Sequence, residues 1–164
     1  MDRRQIGEIP MLIADHGVTS FKIFMFYGGY GLHGASGSQH DFLMIGPEEK
    51  YDIAHFEFVM RGVKDAMQKY PAARDAISLS LHCETAEIMT AYTRLVQEEG
   101  KLQGLRAYSA ARPPHSEGLA ICIASYLAHE TECVNINLLH LSSRKAVEAA
   151  LTMDEAFPKV NFRR

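Results

Sequence analysis

The sequence lacks the features that mark several classes of protein. Its three cysteines, Cys83, Cys122 and Cys133, are an odd number without CxxC spacing, which favours reduced thiols over a disulfide framework. No apolar run approaches the roughly 18 residues of a membrane-spanning helix, and the stretch 9–14 is too short for a signal-peptide core. A net charge of -3 provides no positive electrostatic potential that would attract nucleic acid or an anionic membrane. These absences predict a cytoplasmic protein without nucleic-acid or membrane partners.

The bulk composition is that of an ordinary globular protein. The chain has 164 residues, of which 47% are hydrophobic and 23% are charged. This length and balance are enough for one domain with a real core, and we expect residues 1–164 to form part of a single domain. We find no repeat at a fixed period and no low-complexity tract.

Strands and helices are predicted to alternate along the chain. Apolar and β-branched runs predict three strands and the start of a fourth, at Ser20–Phe26, Ile77–Leu81, Val134–Leu139 and within Lys159–Phe162. Helical spacing and capping residues predict helices at Met1–His16 with a break at Pro10, from Asp52 to Pro71, at Ala86–Gln97, at Gly118–His129 and at Arg144–Met153. A glycine-rich loop, Gly28–Pro47, is long enough to be functional or mobile. Repeated strand-helix units imply a parallel sheet.

Three polar residues stand at unusual places in these strands. Lys22 lies inside an apolar run, and His82 and His140 each end one. A buried ammonium is costly, so Lys22 needs a partner, a shifted pKa or a chemical modification. In a barrel of alternating strands and helices, chemistry sits where the strands end. Because imidazole suits zinc and a lysine carboxylated by CO2 can bridge two metal ions, the pattern points to a metal site.

Each of these residues also has an ordinary structural interpretation. A lysine often buries the methylene groups of its side chain and keeps its ammonium group in water. A histidine at a strand end can be a hydrogen-bonded core residue. Glu84 and Ser142 are candidates for orienting the imidazoles, while Arg112 and Glu117 are expected to brace the loop rather than touch substrate. The remaining histidines are interpreted as surface or loop residues.

Four segments together resemble the dihydropyrimidinase and hydantoinase family of cyclic amidohydrolases. They are Gly17–Met25, Leu81–Glu84, Ala111–Pro114 with Glu117 following, and Leu139–Ser143. The resemblance implies an α/β fold, part of a (β/α)8 TIM barrel with about three to four βα units. It also implies that the complete enzyme opens a hydantoin or dihydropyrimidine ring.

The resemblance assigns roles to four residues. Lys22 would be carboxylated and would bridge two zinc ions, and His82 and His140 would bind one of them. Tyr27, five residues after the lysine, would donate a hydrogen bond to the oxyanion that forms during ring hydrolysis. The substrate would be a small cyclic amide, and the complete enzyme would be a homo-oligomer, a tetramer.

The chain also departs from the family pattern. The His-x-His pair of the first barrel strand and the aspartate of the last strand are absent, and the loop at Gly28–Pro47 is long and lacks the lysine that commonly follows the tyrosine. We therefore expect a central fragment, with the N-terminal and C-terminal barrel parts missing, that does not hydrolyse substrate by itself. The alternatives are a relative acting on allantoin or dihydroorotate, and a non-catalytic scaffold protein of the same fold.

Overall fold

The fold is built on one parallel sheet flanked by helices. The computed structural model describes residues 3–25 and 52–163. Four parallel strands lie in chain order, β1 to β4, at Ser20–Phe24, Ser78–His82, Asn135–Leu138 and Asn161–Arg163. The helices α1 to α6 are Arg3–His16, Ile53–Lys69, Ala86–Glu99, Gly104–Ala110, Pro114–Thr131 and Arg144–Ala156. The predicted alternation of strands and helices around a parallel sheet is confirmed.

The two faces of the sheet differ in chemistry. Alternate strand residues are buried against helices α1, α2, α5 and α6 and form the apolar core; they include Phe21, Ile23, Leu79, Leu81, Ile136 and Leu138. The intervening residues lie on the opposite face, where Lys22 is aligned with Ser80, and Ser80 with Asn137. The Asn137 side chain donates a hydrogen bond to Ser80 Oγ at 3.0 Å. A polar face on a parallel sheet is unusual, since such sheets are commonly apolar on both sides.

Helix α1 runs through Pro10 without the predicted break. The proline removes one backbone hydrogen bond, but Ile9 and Ile13 on either side of it are buried in the core. The Tyr70 hydroxyl also donates to the Pro10 carbonyl at 3.0 Å. Packing against α2 is close, because a Cβ at Gly62 would lie 2.7 Å from Ile6 Cγ2. Tertiary contacts therefore hold the helix together where local sequence predicts a break.

One histidine and two further elements differ from prediction. His55, interpreted from the sequence as a surface or loop residue, is buried in α2 and is 4% exposed. Helix α4, Gly104–Ala110, was not predicted, and none of its residues is buried. Helix α5 begins at Pro114, earlier than expected, because a proline in the first helical turn loses only an N–H that would have no partner there. Within the described ranges 3–25 and 52–163, no helix combines the length and apolar character needed to cross a bilayer.

Candidate metal and active site

The two predicted histidines meet at the carboxyl end of the sheet. His82 is the last residue of β2, and His140 follows the end of β3 by two residues. Their ring centroids are 4.2 Å apart with an angle of 65° between the ring planes. Since β2 and β3 are parallel neighbours, the two strands deliver both imidazoles to the same edge.

The backbone of His140 is in the left-handed region, with φ of 39°. This conformation costs a non-glycine residue roughly 1–2 kcal/mol and persists only where the surroundings enforce it. The sheet enforces it on one side, because the Leu139 N–H donates to the Leu81 carbonyl at 3.1 Å. Such strain at a strand end is typical of functional positions.

A carboxylate orients the ring of His82. The Nε2 atom of His82 and Oε2 of Glu84 are 2.7 Å apart. The other carboxylate oxygen of Glu84 lies 3.9 Å from Nε of Arg112, whose guanidinium carbon is 3.7 Å above the Tyr108 ring. Glu84, one of the predicted orienting residues, therefore contacts the imidazole, and Arg112 faces the same cavity.

Lys22 lies on the polar face of β1, at one edge of the described sheet, and is exposed. The expectation that its ammonium is buried is therefore wrong, because a side chain on this edge strand reaches solvent. Its Nζ is 4.4 Å from the centroid of the Phe24 ring, and that ring is 5.3 Å from the ring of His82. Phe24 is aligned with His82 across the sheet, so the lysine side chain leans toward the edge that carries the histidines. The structure thus places Lys22 and His82 against one aromatic ring. Tyr27 and the loop Gly28–Pro47 lie outside the described residues.

A buried carboxylate, that of Glu117, supports the loop after His140. Glu117 is 8% exposed and accepts hydrogen bonds from the Ser142 N–H at 2.8 Å, the Ser142 hydroxyl at 3.1 Å and the Ser143 hydroxyl at 2.8 Å. Beside it, Ser116 Oγ accepts from the Thr85 N–H at 3.0 Å. Helix α5 is therefore tied to the loops that follow both β2 and β3.

Cys83 adjoins this site but is a poor ligand or nucleophile. Burial raises the pKa of the Cys83 thiol, and the nearby negative charges of Glu117 and Glu84 raise it further. Thiolate is the reactive and metal-binding form, so a thiol held protonated does neither. Cys83 and His82 line the same cavity, and the buried thiol of Cys83 is a packing group.

The site opens into a cavity of about 490 Å³. Its lining includes both histidines, Glu84, Arg112, Tyr108 and Ser142. A larger groove of about 890 Å³ lies at the opposite end of the sheet, between residues such as Arg61, Arg74, His129 and Lys159. The smaller cavity is the candidate active site, because it alone contains the two predicted histidines.

Sequence reasoning missed two residues of this site. Phe24 contacts both the lysine and His82, and its signal was available, since it lies two residues after Lys22 on the same face of a strand. Tyr108 belongs to α4, which has no buried face and hence no periodic pattern that would reveal it.

Two of the described residues, His82 and His140, could serve as ligands of a metal ion. Two imidazoles in ring contact, one of them oriented by a carboxylate, are suited to bind one ion. No group of three histidine, cysteine, aspartate or glutamate side chains that could hold a metal occurs among residues 3–25 and 52–163. The ligand set in this part of the chain is therefore incomplete for two ions.

Sequence comparison finds relatives that match just under half of the chain. No family model matches it. The chain is 36% identical to an allantoinase of Solibacter usitatus over 80 residues. This match covers 49% of the chain and 17% of the allantoinase. The chain is 40% identical to an allantoinase of Desulfitobacterium hafniense over 76 residues. This match covers 46% of the chain and 16% of the allantoinase. The chain thus spans only a small part of the curated relatives it matches.

Structural comparison covers nearly the whole chain. The dihydropyrimidinase of Brevibacillus agri superposes with a TM-score of 0.70 at 18% identity, over 99% of this chain and 28% of that one. An L-hydantoinase of Arthrobacter aurescens gives a TM-score of 0.70 at 19% identity, over 98% of this chain and 30% of that one. The expected fold class, part of a (β/α)8 barrel, is confirmed. The resemblance predicted from the sequence is confirmed as well: this chain is similar in sequence to allantoinases and shares its fold with the dihydropyrimidinases and hydantoinases.

Proposed function

We propose that residues 1–164 form a partial barrel domain of a cyclic amidohydrolase, in which Lys22, His82 and His140 bind metal. The observation that carries this proposal is the contact of the two imidazoles, 4.2 Å between centroids, at the ends of neighbouring parallel strands. The carboxylate of Glu84 on Nε2 of His82 supports it. A carboxylate there favours the proton on Nε2 and the lone pair on Nδ1, which makes Nδ1 the metal-binding nitrogen.

Lys22 is the proposed bridging ligand after carboxylation. It is exposed, so CO2 can reach its amine, and it leans toward the Phe24 ring that also contacts His82. Two zinc ions at this edge would supply a nucleophile from water and polarise the carbonyl under attack. Tyr27 is proposed as the donor to the developing oxyanion, a role typically worth about 3 kcal/mol.

The proposed substrate is a small cyclic amide, either a hydantoin or a dihydropyrimidine. The named activities of the structural neighbours support this class. Allantoin is the second candidate, because the sequence relatives are allantoinases at 36% and 40% identity. Allantoin is itself a hydantoin that carries a ureido group, so one ring-opening site serves both candidates. Arg112, which the sequence led us to expect as a support of the loop, lines the cavity together with Ser142, and the polar groups of both would suit the added ureido group.

The test uses the complete enzyme and separates a ligand from a transition-state donor. We expect Lys22→Ala to abolish both binuclear metal occupancy and ring hydrolysis. Tyr27→Phe should lower turnover by about 100-fold and leave the metal content intact. Metal analysis and turnover of hydantoin, dihydrouracil and allantoin check both expectations. Full activity of Lys22→Ala without added carboxylic acids would refute the bridge, and loss of metal in Tyr27→Phe would make Tyr27 a structural residue.

A further inference from the structure

We propose that Glu117 is a positioning residue that fixes His140 by clamping Ser142 and Ser143. The role of His140 as a ligand rests on the proposed function, whereas the clamp rests on the geometry of the loop between β3 and α6. Glu117 belongs to neither of these elements. It lies in the first turn of α5 and reaches the loop from the side.

The clamp consists of three hydrogen bonds to one buried carboxylate. Oε1 accepts from the Ser142 N–H at 2.8 Å, and Oε2 accepts from the hydroxyls of Ser142 at 3.1 Å and Ser143 at 2.8 Å. An ionised carboxylate only accepts, so both hydroxyls must donate to it. Hydrogen bonds to an ionised group are roughly twice as strong as neutral ones, which suits a group that is 8% exposed.

These donor directions connect Glu117 to the start of α6. With its proton committed to Glu117, the Ser143 oxygen accepts from the Ala146 N–H at 3.1 Å and caps the helix. The negative charge of Glu117 thus lies near the N-termini of both α5 and α6, where helix dipoles favour an anion.

Hydrogen bonds hold the backbone on both sides of His140. On one side the Leu139 N–H is bonded to the Leu81 carbonyl of the sheet, and on the other Ser142 is held by Glu117. Between them the backbone of His140 is held at φ of 39°. Loss of the hydrogen bonds from Ser142 to Glu117 would allow the loop to relax toward ordinary backbone angles. The imidazole would then leave its position beside His82.

The test compares zinc binding and histidine NMR signals of the 164-residue chain with those of Glu117→Gln. The substitution keeps the shape of the side chain but places an NH2 group where an acceptor is needed. We expect the zinc dissociation constant to rise about 10-fold or more and the imidazole signals of His140 to shift. The signals of His16, exposed at the end of α1, should stay in place. Glu87→Gln is the matched control, because it neutralises a glutamate in the first turn of α3.

A milder variant keeps the test decisive if Glu117→Gln reduces the fraction of protein that is folded. Ser142→Ala removes one hydroxyl bond and retains the other two, and it should give a smaller rise in the zinc dissociation constant with the same sign. Unchanged zinc affinity and unchanged His140 signals in both variants would overturn the proposal. If the unsubstituted chain binds no zinc but His140 shifts in Glu117→Gln, the clamp is supported and the proposed metal site fails.

Discussion

The two ends of the sheet carry buried polar networks of opposite character. At the amino end, Asn135 donates to the carbonyls of Arg74 and Ile77 at 3.0 and 3.1 Å and accepts from Asn161 at 3.3 Å. Every bond in that network joins neutral groups. At the carboxyl end, Glu84 and Glu117 are partly or fully buried carboxylates bonded to histidine, serine and backbone N–H groups.

The amino-end network joins parts of the sheet, whereas the carboxyl-end network adjoins the proposed metal site. Neutral amides satisfy backbone carbonyls and fix the register of β3 and β4, and they add no group that titrates near neutral pH. A buried carboxylate is costly unless it is paired or hydrogen-bonded, and both Glu84 and Glu117 have such partners. The larger groove adjoins the amino end, so cavity size alone would favour that end over the carboxyl end, where the metal site is proposed.

The carboxyl-end network should respond most strongly to neutralisation of Glu84. Glu84→Gln weakens the partner of His82 Nε2 and lowers the basicity of the imidazole. We expect the zinc dissociation constant of the 164-residue chain to rise between 10-fold and about 100-fold. Competition with a chromophoric chelator measures it.

The control for this variant is Glu148→Gln, which also removes a carboxylate paired with an arginine, at 2.7 Å, but lies on an exposed part of α6. It should leave the zinc affinity unchanged. Equal zinc affinity in Glu84→Gln and the unsubstituted chain would show that Glu84 does not support a ligand.

A substitution in the amino-end network should lower the stability of the fold without changing its zinc affinity. Asn135→Ala leaves the carbonyls of Arg74 and Ile77 without their side-chain donor in a buried setting, so the free energy of unfolding should fall by about 1–3 kcal/mol. Urea denaturation measures this loss. Zinc affinity of the folded protein should stay the same. A drop in zinc affinity at unchanged stability would contradict the division between the two ends.

Much of this arrangement follows from local sequence, and the remainder depends on long-range contacts. The strand-end positions of His82 and His140 were predictable because each follows an apolar run that a turn or cap terminates. Their ring contact depends on the parallel pairing of β2 and β3, which is consistent with the predicted fold class. The bonds from Glu117 reach residues 25 and 26 positions along the chain, and no local pattern specifies a pairing at that separation.

The wrong prediction at Pro10 has the same origin. Local propensity disfavours proline inside a helix, but burial of Ile9 and Ile13 against α2 outweighs one lost hydrogen bond. Helix α4 escaped prediction for the opposite reason, since it has no buried face to impose a period. The role of Tyr27 stays a prediction, because that residue lies outside the described part of the chain.

The most direct test of the metal-site proposal is zinc titration of the 164-residue chain against two matched double variants. His82→Ala/His140→Ala removes the paired imidazoles, and His16→Ala/His129→Ala removes two exposed imidazoles away from the site. We expect the first pair to eliminate saturable zinc binding and the second to leave it intact. Equal zinc binding by the chain and by His82→Ala/His140→Ala would contradict the account.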